Sequence, residues 1–193
     1  GPVIIHTPHG HVFYGHFGRL ASWVFLQIER LLATITTHLI ALTEAERDEH
    51  LARRVGRADC FTVASSGIDL ERFRRMAGVS GRRPPGIICP PDAIVVGSVG
   101  WLTEVKGHRF LIEALARLKP SHPRLHLLIV GSGGLREECE VLAGKLGVGD
   151  AVQLLGERED VPDCLAAMDL FVLPSLNEGM GRALVEAMAA GRP

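Results

Sequence analysis

Residues 174–193 run Pro-Ser-Leu-Asn-Glu-Gly-Met-Gly-Arg-Ala-Leu-Val-Glu-Ala-Met-Ala-Ala-Gly-Arg-Pro, a turn and a helix with glycine at both ends of the helix. The apolar run Asp169 to Leu173 leads into them and reads as a short, buried parallel strand. Pro174 and Ser175 end that strand. Glu178 to Gly181 form a glycine-rich turn, and Arg182 to Ala190 read as a helix closed by Gly191 and Pro193. Strand, glycine turn and helix in this order present backbone N–H groups to an anion. Glu178 stands before the helix and Glu186 inside it. Eight helical residues span about 12 Å at about 1.5 Å each. Two acceptors that far apart, with amides between them, suit a long ligand with hydroxyls at both ends and phosphate in the middle.

Working back from this stretch, the second half repeats a strand–helix rhythm. Strands are predicted near 94–99, 125–130, 152–155 and 170–173, and helices near 107–118, 135–146, 161–168 and 182–190. That alternation implies a doubly wound parallel sheet, with ligands bound past the carboxyl ends of its strands. The first half begins with a strand at 3–6 and a loop rich in His and Gly at 6–16. Apolar residues at 20, 24, 28, 31, 32 and 35 predict a helix over 19–34. A strand at 38–42 follows. Thr43-Glu-Ala-Glu46 then reads as a capping box opening a helix to about Arg54, before a third strand at 60–64. Residues 74–92, rich in Gly, Pro and Arg, read as a linker.

Composition bounds the function. The 193 residues are 47% hydrophobic and 22% charged, globular values, with a net charge of −1 that does not point to nucleic acid as a partner. Cys60, Cys89, Cys139 and Cys164 form no CxxC pair and read as scattered reduced thiols of a cytoplasmic protein. The apolar stretch 22–42 is broken by Glu29, Arg30 and His38, so no spanning helix is predicted. The chain opens inside an apparent strand without an initiator Met and stops where another strand is expected, which reads as truncation at both ends.

Each predicted strand end of the second half offers a motif. Gly100-Trp-Leu-Thr-Glu-Val-Lys-Gly107 puts Lys106 at a helix start, where an ammonium beside free amides favours phosphate; a solvated lysine is the plain alternative. Gly131-Ser-Gly-Gly-Leu-Arg136 lacks the third glycine of a dinucleotide fingerprint and no clear acidic residue ends the next strand, so a nicotinamide reading fails. Glu157 to Asp160 alternate in charge and read as a wet loop. In the first half, His6, His9, His11 and His16 admit three readings: a metal site, a contact to a reacting group, or loop structure.

A nucleotide sugar has the shape that the two glutamates ask for, and here the chain resembles the retaining glycosyltransferases of family 4, with the GT-B fold. Their signature resembles P-S-x-x-E-G-x-G-x-x-x-x-E-A-M-A-x-G-x-P, which residues 174–193 match. A second motif, G-R-L-x-x-x-K-G, is matched at Gly100 and Lys106 but has Trp101 where arginine is expected. That departure removes a bidentate cation, leaving Arg182 or Arg109 to compensate, or donor affinity lower. Trp101 itself either stacks on a ligand or packs.

The resemblance implies a GT-B α/β fold with two Rossmann-like halves, parallel sheets in both and both incomplete. It places an acceptor-side part at 1–65, a crossover and linker at 66–92, and a donor-binding part at 93–193. It implies catalytic roles for His9 and Glu178, both on the transferred sugar. Glu186 would hold the ribose hydroxyls, and Gly179, Met180 and Gly181 would offer amides to sugar or phosphate. Gly100 and Lys106 would face the diphosphate, Gly131 and Gly133 would line the donor cleft, and backbone near Arg158 and Val161 would read the nucleobase. Ser66, Gly67 and Asp69 would form a hinge bordering the cleft, with a plain helix start as the equal alternative for Asp69. The implied reaction moves a sugar from a nucleotide diphosphate donor to a sugar or lipid-linked acceptor hydroxyl, with retention of configuration, no cofactor and no metal, in glycan or polysaccharide biosynthesis. A cytoplasmic protein with room for peripheral contact at the inner membrane surface fits that role. A nucleotide-sugar isomerase or phosphorylase, or a non-catalytic nucleotide-binding module, remains the alternative.

Overall fold

The computed structural model describes residues 1–8, 18–79, 81 and 83–193. The chain divides into two compact units, one of residues 1–67 with 177–180 and the other of residues 68–176 with 181–193.

The first unit alternates β1 (Ile5–His6), α1 (Arg19–Ile35), β2 (His38–Ala41), α2 (Glu44–Ala52) and β3 (Phe61–Val63). Its three strands run parallel in the order β1-β2-β3, with Ile5 opposite His38 and Leu39 opposite Phe61. Leu39 and Ala41 point into its core and are fully buried. The start of α2 is a modified capping box. Thr43 Oγ1 accepts from the Glu46 N–H at 3.1 Å as expected, but the Glu46 carboxylate accepts from the Leu42 N–H at 2.6 Å rather than from that of Thr43. Leu42 is the first residue past β2, and the buried carboxylate, 2% exposed, bonds the amide there. Thr43→Ala removes one end of this arrangement and is expected to cost about 1 kcal/mol of stability, measured by urea denaturation.

The second unit contains α3 (Leu70–Arg74), β4 (Ile94–Val99), α4 (His108–Leu118), β5 (Leu125–Val130), α5 (Arg136–Lys145), β6 (Val152–Gly156), α6 (Val161–Ala166), β7 (Leu170–Phe171) and α7 (Arg182–Ala189). Its sheet is parallel, in the order β6-β5-β4-β7. Both faces are covered, which explains the continuous apolar runs of its strands. Leu128 and Val130 of β5 pack with Phe73, Leu165, Met168 and Ala187 beneath α3, α6 and α7. Leu127 and Ile129, one pleat over, pack with Leu102, Ile112, Leu115 and Cys139 beneath α4 and α5. Within the stretch 74–92, Met76, Ile87 and Cys89 pack on the first of these cores, and the Ile88 N–H donates to Gln153 Oε1 at 2.9 Å. β7 pairs over two residues only, since Pro174 soon removes a ladder donor.

The strand order has a functional consequence. From β4 the chain moves outward through β5 to β6, then returns to the other side of β4 with β7. The loops after β4 and β7 therefore diverge at a topological switch point, where open α/β sheets bind ligands.

Candidate functional site

Three loops at the carboxyl end of this sheet are zipped together backbone to backbone. The Gly100 N–H donates to Val130 O at 2.9 Å, the Leu102 N–H to Ser132 O at 2.8 Å, and the Gly131 N–H to Gly156 O at 2.8 Å. Such approach requires glycine. A Cβ on Gly131, whose φ is +138°, would lie 2.0 Å from Gly100 O, and one on Gly133, at φ +154°, 2.5 Å from Leu102 O. These glycines shape the floor of the cleft by letting backbone touch backbone.

Above that floor lies a cavity of about 180 Å³, lined by Val99, Gly100, Trp101, Gly131, Arg158 and Val161 among others. It gathers Gly100, Gly131, Arg158 and Val161 at one place. Trp101 is 63% exposed, so of its two readings core packing is excluded. The Arg158 guanidinium is engaged: its Nε and Nη2 donate to the two Asp160 oxygens at 2.7 and 2.6 Å, and Nη1 to Pro85 O at 3.0 Å. Its side chain braces the loop and leaves backbone at the cavity edge.

Lys106 ends a short 3-10 turn, Glu104–Lys106, directly ahead of α4. Gly107 follows in the left-handed region, at φ +67°, and a Cβ there would lie 2.3 Å from Pro174 O. The Leu176 N–H donates to Val105 O at 2.8 Å. The Lys106 loop is thus fastened to the loop after β7, across the switch point. Its aliphatic stem and the His108 ring close on Gly100, with Lys106 Cδ 3.7 Å and His108 Nε2 3.9 Å from where a Cβ would stand. His108 is 3% exposed and its Nδ1 has no hydrogen-bond partner among the described residues. Burial, and then the Lys106 charge, pull its pKa down to about 4, so the ring is neutral beside the ammonium.

The two helices that start at the switch point share an electrostatic character. Both α4 and α7 are N-capped by a left-handed glycine, Gly107 and Gly181, with no side-chain cap and no acidic residue in the first turn. α5, by contrast, carries Glu137 and Glu138 in its first turn. A basic residue stands at each open start, Lys106 before α4 and Arg182 opening α7. Uncapped amides, helix dipole and cation together favour an anion.

Glu186 sits one helical turn into α7, with a side chain 16% exposed and 3.8 Å from Arg182. Burial raises its pKa, against the pull of Arg182 and Arg72. Of the two cations considered as substitutes for the missing arginine, Arg109 pairs with Glu113 at 3.2 Å and lies over Phe110, whereas Arg182 belongs to the α7 start. Glu178, Gly179 and Met180 group with the first unit, and Gly181 with the second. His9 lies outside the described residues. His108 was missed by the motif reading. Its register with Ile112 and Leu115, all three buried on one face of α4, is the signal that finds it.

Strand order, glycine-zipped loops and paired helix starts define a Rossmann-like unit with ligand-type loops at its switch point. The family model for glycosyl transferases group 1 matches residues 87–193, more than half of the chain, and the chain belongs to that family, with a GT-B α/β fold. It is 29% identical, over 100% of its length, to 50% of the Escherichia coli UDP-Gal:alpha-D-GlcNAc-diphosphoundecaprenol alpha-1,3-galactosyltransferase. It is 32% identical, over 86% of its length, to 38% of a D-inositol 3-phosphate glycosyltransferase of Streptomyces bingchenggensis. Among solved structures, Anabaena HepE in complex with UDP and glucose superposes with a TM-score of 0.80 at 26% identity, over 99% of this chain and 52% of that one. The chain thus spans about half the length, or less, of these relatives.

Proposed function

We propose that the second unit binds the nucleotide diphosphate sugar donor of a retaining glycosyltransferase, which passes the sugar to an acceptor hydroxyl in glycan or polysaccharide biosynthesis. The observation that carries this reading is the pair of uncapped, acid-free helix starts flanking the switch point, with Lys106 and Arg182 beside them. A leaving diphosphate develops negative charge there, and preorganised amides and cations stabilise it without reorganising. Charge neutralisation falls to these groups in this reading, and a metal has no assigned part. Glu186 takes the ribose hydroxyls, and the cavity beside Trp101 takes the base, with the exposed indole available to stack. Glu178 and His9 take the transferred sugar, as the resemblance implies. The HepE complex with UDP makes uridine the first base to test, and the galactosyltransferase named above makes a lipid-linked sugar the first acceptor to test.

Glu186→Gln is expected to weaken UDP binding about 10- to 100-fold in titration calorimetry, the value of a hydrogen bond to a charged group. Unchanged affinity at matched melting temperature would sink the assignment. Incubation with UDP-sugars and a lipid-linked acceptor separates the two classes of function. Product with retained anomeric configuration supports the transferase. Nucleotide binding with no donor consumed supports the binding module, a reading that the replacement of an arginine by Trp101 keeps open.

A further inference from the structure

Resting on the assignment of Glu186 to ribose, we propose that Arg72 is a positioning residue that couples recognition of the ribose to the loop at the base. Arg72 lies on α3, outside the switch-point motifs. Asp69 caps that helix by accepting from the Arg72 N–H at 3.1 Å, which fixes where the side chain starts. The next residue, Phe73, is buried in one core with Ala187 and Ala190, so α3 is packed onto α7, the helix of Glu186. From this anchored base the Arg72 guanidinium reaches the loop after β6, and the packing of α3 on α7 brings its charge to bear on Glu186. One Nη2–H donates to Glu159 O, in the loop after β6 that continues from Arg158 to Val161 at the cavity. Its charge also acts on the Glu186 carboxylate, from a different element than Arg182 does.

A planar fork suits this double task. It can face a carboxylate while donating to a carbonyl, and its position is set by the α3 packing rather than by the ligand. The same side chain borders an open cavity of about 510 Å³ with Arg75, Glu71, Glu159, Asp160 and Asp163. Without Arg72, the cation left acting on Glu186 among the described residues is the same-helix Arg182, 62% exposed at its side chain and 3.8 Å away. The carboxylate then loses the attraction of a cation held on the neighbouring helix, and the Glu159 carbonyl loses its donor. Arg72 touches no reacting atom; it acts through Glu186 and the Glu159 backbone.

The test compares UDP with 2′-deoxy-UDP, by calorimetry, in the wild-type chain and in Glu186→Gln, Arg72→Gln and Arg72→Lys, with melting temperatures recorded. The wild type is expected to prefer the ribonucleotide about tenfold or more, and Glu186→Gln to bring the ratio close to unity. Arg72→Gln is expected to lower the ratio about fivefold with a smaller loss for the deoxy ligand. A purely structural role would weaken both ligands equally. Arg72→Lys, which keeps the charge and the packing stem, is expected to fall between, and it serves as the measurement if Arg72→Gln does not fold. A wild-type ratio in the Arg72 variants, with the ratio lost in Glu186→Gln, overturns the proposal and leaves the donor site standing. A wild-type ratio in Glu186→Gln overturns both.

Discussion

Replacing Gly131 by alanine is expected to cost the second unit about 4 kcal/mol and to abolish nucleotide binding. Two terms add. At φ +138° an L side chain is strained whatever the space, about 1–3 kcal/mol. The new methyl would also stand 2.0 Å from Gly100 O and 2.8 Å from Gly100 C, an overlap that costs about 1–3 kcal/mol more. Both clashing atoms are backbone, so no rotamer change relieves them. Gly100 is held to Val130 O at 2.9 Å and Gly131 to Gly156 O at 2.8 Å, so relief means parting the loops that floor the cleft. Gly97 is the instructive contrast. Its Cβ would also meet an atom at 2.0 Å, but that atom is Met168 Sδ, on a flexible side chain, and Gly97 has no positive φ. Gly134→Ala, with nothing within 4 Å, is the control and should be near neutral. Urea denaturation orders the three, and calorimetry with UDP reads the cleft. A Gly131→Ala protein within about 1 kcal/mol of wild type would mean that the loops are not zipped as described.

The parts of this architecture legible in the sequence are those in which local pattern and tertiary packing agree. β4 and β5 fall at 94–99 and 125–130 as predicted, because both are central strands whose apolar runs end at glycine or charge. The glycines before α4 and α7 announced helix starts, and the left-handed φ values of Gly107 and Gly181 give the reason. Other features depend on contacts that composition does not encode. Residues 74–92 have a linker's composition, yet Arg83 donates to Cys89 O at 2.7 Å within the stretch and the distant Arg192 to Val79 O at 3.0 Å, so guanidinium groups hold carbonyls there that composition does not reveal. Glu46 has the right spacing for a capping box, but a strand-end amide one residue earlier took its carboxylate. Leu173 looks as strand-like as Phe171, but an apolar run does not show where pairing stops. Within the site, Gly100, Gly131, Arg158 and Val161 converged because each follows a strand of one parallel sheet, a topological regularity that motif spacing can reach. Arg72 and His108 were out of reach because their importance lies in what they face. Neither belongs to the motifs at the strand ends.

Acidification is expected to remove about 3 kcal/mol from the second unit through His108 alone. The ring is buried with an unpartnered Nδ1 beside Lys106, and its pKa is about 4 against an ordinary 6.5. Above pH 6.5 it is neutral in the folded and unfolded chain alike, and the stability it allows is fully present. Between 6.5 and about 4 the unfolded chain takes up a proton that the folded chain refuses, so stability falls as pH falls. Below about 4 both forms are protonated and the loss is complete, about 1.4 kcal/mol for each unit of the difference. Carboxylates elsewhere also titrate in this range, so the wild type must be measured against His108→Leu, which fills similar space without a charge. The variant should match or slightly exceed the wild type at pH 7, since a buried polar atom without a partner is removed. At pH 4 it should be the more stable by about 3 kcal/mol, in urea denaturation followed by the fluorescence of Trp101 with Trp23 replaced by Phe. The same comparison bears on the ligand. A protonated His108 would put a second cation against Lys106 at Gly100 and displace the turn that fastens the two switch-point loops, so UDP affinity should fall with acid more steeply in the wild type than in His108→Leu. Parallel stability curves for the two proteins from pH 7 to 4 would show that the imidazole is hydrated or hydrogen-bonded in solution, and the tight closure of His108 and Lys106 on Gly100 would have to be abandoned.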